Sequence, residues 1–138
     1  MWGGEMSSTM FLRPARRMLL VEDDALLRGA MQELLEPFFE VQAAENGETA
    51  EHLFTNRRFD VAFVDYLLPD MDGVEVLQRL RIVAPTVRRI LTSGWWQPQL
   101  SSWASTGLIH GFVLKPTTVE AIVEVCSCAM EDLHPLAL

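Results

Sequence analysis

Two cysteines, Cys126 and Cys128, are all that the 138 residues hold. They stand two apart in a helical pattern, so their side chains diverge and no mutual disulfide is expected. They read as reduced thiols of a cytoplasmic protein, with Cys126 on an apolar face. Long apolar runs are missing as well. The first, Met18 to Val21, is four residues and meets acids at once, so neither a signal peptide nor a membrane span is read. Basic residues are scarce: 11 Lys and Arg face 19 Asp and Glu, a net charge of -8. That argues against direct nucleic-acid binding through a basic surface. No Gly-rich phosphate loop follows the first apolar run, which disfavours a flavin or nucleotide site. No repeat, low-complexity linker or second domain is visible. The length suits one domain with a real core.

What is present is an alternation. Short apolar runs occur at Met18–Val21, near 40–44, at Val61–Val64, Arg89–Thr92 and Phe112–Leu114. Helical patterns separate them. The first helix shows Leu27, Ala30, Met31, Leu34 and Leu35 on one face, with Asp24 as N-cap and Pro37 as stop. The second, 48–56, packs through Ala50, Leu53 and Phe54. The third, 74–83, begins at Asp72 with Glu75 as a capping box and buries Val74, Leu77, Leu80 and Val83. A short fourth covers 99–105. The fifth starts at Thr117 with Glu120 as a second capping box and carries Val119, Ile122, Val123, Cys126, Met130 and Leu133. Strand–helix alternation of this kind predicts an α/β fold, a doubly wound five-stranded parallel sheet flanked by five helices.

In such a sheet all strands end at one edge, where ligands bind. The residues at those ends are Glu22 and Asp23, Asp65, Thr92 and Lys115. Three carboxylates in one crevice repel unless protonated or bridged by a cation. An all-oxygen donor set suits Mg²⁺ better than zinc. Helix capping accounts for Asp24, but not for the other three acids converging with a lysine.

This arrangement resembles the receiver domain of two-component response regulators. The resemblance spans about residues 17 to 133 and is carried by LLVEDDALLR, AENGETA, DYLLPDMDG, ILTSG and GFVLKP in that order. Residues 1–16 would be a tail, 17–133 the domain and 134–138 a second tail. The resemblance implies that Asp65 is the phosphoacceptor, taking its phosphoryl group from a histidine kinase or phosphotransfer protein. Glu22 and Asp23 would hold Mg²⁺ with Asp65 and the backbone carbonyl of Leu67, Asp23 being the more direct ligand. Thr92 would hydrogen-bond the phosphoryl group, Lys115 would pair with one of its oxygens, and Pro116 would follow a cis peptide. Phe112 would move with Thr92, switching a surface made by the fourth helix, fifth strand and fifth helix toward a downstream protein or an output domain. Such a domain catalyses only its own phosphorylation and dephosphorylation.

Two other readings compete. One is a degenerate receiver that binds partners without phosphorylation; the intact acid, threonine and lysine set argues against it. The other is a Mg²⁺-dependent phosphohydrolase with an aspartyl nucleophile. Those enzymes usually place a second acid two residues later, where this chain has Leu67. Trp95, Trp96 and Trp103 depart most from the family pattern. They are either a binding anchor or a cover for the core. Few residues follow the fifth helix, so a stand-alone receiver and a fragment of a longer regulator or hybrid kinase both stay open.

Overall fold

Five strands and five helices alternate along residues 16–131, the part of the chain that the computed structural model describes. They are β1 (Arg17–Val21), α1 (Ala25–Leu35), β2 (Glu40–Ala44), α2 (Gly47–Asn56), β3 (Val61–Asp65), α3 (Gly73–Val83), β4 (Arg88–Ser93), α4 (Leu100–Ser105), β5 (Gly111–Leu114) and α5 (Val119–Glu131). Residues 1–15 of the expected N-terminal tail, the expected C-terminal tail and Leu133 lie outside the described residues, as does the Met130 side chain; Arg16 is described, and its carbonyl accepts the Glu40 N–H at 2.8 Å. All neighbouring strands pair in parallel, in the order β2-β1-β3-β4-β5. This is the doubly wound α/β fold expected from the alternation. The order reverses between β1 and β3, which opens a crevice at their carboxyl ends.

Register sets the height of each strand end. Val21 pairs with Val64, Asp65 with Thr92, and Thr92 with Val113. Glu22, Asp65, Thr92 and Lys115 therefore reach one edge together. Residue parity sets their face. Counting back by two gives Leu20, Phe63, Ile90 and Val113, all in the core on the α1 and α5 side. The opposite core lies under α2, α3 and α4 and holds Val21, Val64 and Leu91.

Helix starts follow the side-chain chemistry of their caps. Asp24, Asn46 and Asp72 accept the backbone N–H of Leu27, Thr49 and Glu75 at 3.0, 2.8 and 2.8 Å. At α5 the cap is Thr118, whose hydroxyl accepts from Ala121 N at 3.1 Å. The expected cap, Thr117, lies before the helix, directly after the cis Lys115–Pro116 bond.

Two expected core faces need correction. On α1 only Met31 and Leu35 are buried; Leu27, Ala30 and Leu34 are exposed. The physical reason is a groove of about 550 Å³ between α1 and α5, which those three residues line. On α3 Val83 is exposed, because it stands at the helix end, and Val76 is buried instead. Leu77 is fully buried at the centre of the α3 face. Leu77→Ala is expected to cost about 2–5 kcal/mol, whereas Leu26→Ala, at an 87% exposed position, should stay within about 0.5 kcal/mol. Urea unfolding of both variants measures the contrast.

Candidate functional site

The lysine after β5 ties three strand ends together. Lys115 Nζ lies 2.9 Å from Glu22 Oε1 and 2.9 Å from Asp65 Oδ2. Both acids are buried, at 2% and 5% exposure. The second oxygen of Glu22 accepts the backbone N–H of Asp24 at 3.2 Å. Asp23, the exposed neighbour, completes a trio in which one carboxylate oxygen from each residue lies within 4.8 Å of the other two.

Charge counting defines what this trio can hold. Three carboxylates face one ammonium, which leaves two negative charges at a partly desolvated edge. A divalent cation with oxygen preference matches that deficit and that donor set. The residues present therefore fit a metal site of the Mg²⁺ type.

Titration follows from the same geometry. Burial is the largest influence on Glu22 and pushes its carboxyl above the usual range. Hydrogen bonds from Lys115 and the Asp24 amide oppose this, and the nearby Asp65 charge adds to it. For Lys115, burial pulls downward, but hydrogen bonds to Asp65 and Glu22 outweigh it and the net shift is upward.

Of the two residues expected to switch, Thr92 lies near the carboxyl end of β4 and Phe112 lies within β5. Thr92 is buried, and its hydroxyl donates to the Val113 carbonyl at 2.8 Å. Its own carbonyl accepts the N–H of Tyr66, the residue after Asp65, at 2.8 Å. Phe112 is half-buried against the core on the α2, α3 and α4 side and meets Trp96 edge-on at 5.3 Å. The three tryptophans differ in burial, and only Trp103 covers the core. Trp103 packs on the core, 6.1 Å from Tyr66, while Trp95 and Trp96 are 59% and 68% exposed. Leu67 is also exposed, and its loop is closed at the base by Gly73 N–H donating to Tyr66 O at 2.7 Å. A Cβ at Gly73 would run into the Asp65 carbonyl, so this close approach needs glycine.

Two residues were not singled out by the sequence reading. Arg28 donates to the Glu22 carbonyl at 2.9 Å and the Asp23 carbonyl at 3.3 Å, bracing the loop that carries both acids. Asp70 accepts from the backbone N–H groups of Gly47 and Glu48, both at 2.9 Å. Lys115 is also the only lysine in the chain.

Comparison with known proteins places this geometry in context. A sequence model of the response regulator receiver domain matches residues 18–127. The chain is 30% identical over 112 residues to the chemotaxis protein CheY of Bacillus subtilis, covering 80% of this chain and 93% of that protein. It is 33% identical over 105 residues to a cyclic di-GMP phosphodiesterase of Thermotoga maritima, covering 75% of this chain but only 28% of the enzyme. The fold superposes on a CheY-like receiver domain protein from Methanospirillum hungatei JF-1 with a TM-score of 0.80 at 23% identity, covering 86% of this chain and 96% of that one. Among the described residues no helix is long and apolar enough to cross a membrane.

The raised Glu22 value has a measurable sign. A carboxyl whose folded pKa lies above its unfolded value of 4.5 stabilises fully below that pH and loses its contribution as pH rises through the folded value. Without Mg²⁺, Glu22→Gln should therefore gain stability relative to wild type as pH rises from 4.5 to 7. Urea midpoints at a series of pH values check it; a constant difference would contradict the expectation.

Proposed function

Given that the chain belongs to the response regulator receiver family, a component of two-component signalling, we propose that Asp65 accepts a phosphoryl group from a partner histidine kinase or phosphotransfer protein in a Mg²⁺-dependent reaction. The observation that carries this reading is Lys115 held 2.9 Å from both Glu22 and Asp65. An ammonium already bound to the nucleophile stands ready for the oxygens of an incoming phosphoryl group.

In the proposed step an Asp65 oxygen attacks phosphorus while the bond from phosphorus to the donor imidazole nitrogen breaks. The leaving nitrogen keeps the electron pair, and the product is an acyl phosphate. Glu22, Asp23 and Asp65, with the Leu67 carbonyl, would hold Mg²⁺, which when bound offsets negative charge on the transferred group. Lys115 supplies a further positive charge. Phosphorylation gives the Thr92 hydroxyl a competing acceptor, a phosphoryl oxygen. Turning to it breaks the 2.8 Å bond to Val113 and loosens β4 against β5, the strand that carries Phe112, on which Trp96 packs. Output is then a population shift across α4, β5 and α5. Phe112 has no hydroxyl to export, so packing carries the coupling.

The donor must approach the carboxyl edge. Leu26 and Leu27, exposed on the first turn of α1 beside Glu22 and Asp23, offer it an apolar footing. The protein partners and a cytoplasmic setting follow from the same reading, as does a missing output domain if the chain is part of a longer regulator. Leu67 and the side-chain-free Gly94 give an attacking water no polar guide, so the acyl phosphate should persist.

Intact mass after treatment with phosphoramidate tests the acceptor. Wild type should gain one phosphoryl group only when Mg²⁺ is present, and Asp65→Asn should gain none. An unchanged wild-type mass overturns the proposal, and loss of the group within seconds of donor removal overturns the expected persistence. Amide exchange with and without beryllofluoride and Mg²⁺ tests the output. Slower or faster exchange in α4 and β5 is expected, and unchanged rates there would exclude this surface.

A further inference from the structure

The loop from Tyr66 to Asp72 carries the Leu67 carbonyl, yet the Leu67 side chain does not hold it in place, being about half exposed. Its base is fastened by Gly73 N–H to Tyr66 O and by a bridge between Leu67 and Asp72. Its tip is fastened differently. Asp70 reaches across to α2, where Oδ1 and Oδ2 each accept one backbone N–H, from Gly47 and Glu48, at 2.9 Å. The Asn46 side chain serves the third, from Thr49. The first three amides of α2 are thus shared between a cap of its own and one imported from the β3–α3 loop.

A second contact backs the first. Next to Asp70, the Met71 side chain occupies the place where a Cβ on Gly47 would stand, with Cγ and Sδ 2.5 and 2.6 Å from it. Met71 packs against the core cluster to which Ala50 and Phe54 of α2 belong. The absence of a side chain at Gly47 therefore lets the loop tip seat on the helix end. Asp72 caps its own helix, α3, so Asp70 is not needed there. Its carboxylate joins two elements 22 to 23 residues apart in sequence.

We propose that Asp70 is a positioning residue for the metal site: it seats the β3–α3 loop on the N-terminus of α2 and so fixes the segment that presents the Leu67 carbonyl. The inference rests on the reading of Leu67 as a ligand. Residues that orient metal ligands from outside typically change metal affinity by about 10- to 100-fold when removed. A residue that only caps a helix would alter stability and leave affinity alone.

Calorimetric titration of the chain with Mg²⁺, without any phosphodonor, separates the two. Asp70→Ala should raise the Mg²⁺ dissociation constant about tenfold. Asn46→Ala removes the other cap of the same helix without touching the loop, and Glu48→Gln removes a neighbouring charge. Both should keep the wild-type affinity. Asp70→Asn retains one acceptor oxygen and should fall between Asp70→Ala and wild type. Equal effects of Asp70→Ala and Asn46→Ala, or of Asp70→Ala and Glu48→Gln, overturn the inference while leaving the metal site intact. If Asp70→Ala does not fold, Asp70→Asn carries the comparison, and wild-type affinity in that variant overturns it. Absence of any Mg²⁺ binding by wild type removes the metal reading itself, and this inference with it.

Discussion

One ammonium shared between two buried carboxylates holds the carboxyl edge of this sheet together. Lys115 is the only cation paired with the Glu22 and Asp65 carboxylates among the described residues. Without it both acids would face a desolvated edge with no counter-charge, and removing one partner of a buried ion pair costs about 3–5 kcal/mol. The arrangement also leaves charge unbalanced. Two negative charges remain after Lys115 is counted, so the edge has the charge and the oxygen donors to take up a further cation.

Much of that edge was legible in the sequence, because a parallel sheet turns chain order into spatial order. Glu22, Asp65 and Lys115 follow their apolar runs directly, and Thr92 closes its own. Parity then puts all four on the face of Leu20, Phe63, Ile90 and Val113. The residue types that end each strand carry the chemistry, and the strands need only stack in register. The caps Asp24 and Asp72 were legible for a similar reason: they act on amides three residues away.

What escaped the sequence depends on contacts between elements. Apolar spacing on α1 gave five core candidates, but only how close α5 approaches decides which are covered, and Leu27, Ala30 and Leu34 are left lining a groove. Thr117 and Thr118 are equivalent caps by residue type; the backbone path out of Pro116 chooses the second. Arg28 and Asp70 reach loops on other parts of the chain, and no periodicity marks them. The tryptophans looked like one group in sequence, yet Trp103 turns into the core while Trp95 and Trp96 turn out.

The count of one lysine has a consequence of its own. The other ten basic side chains are arginines, whose guanidinium groups do not share the nucleophilic chemistry of a primary amine. Lys115 is thus the sole side-chain amine of these 138 residues. A nitrogen label introduced through lysine would place a single reporter between Glu22 and Asp65, free of overlap from any other residue. Enzymatic acetylation of lysine side chains, wherever this protein meets it, has one address, and there it would erase the charge on which the edge depends.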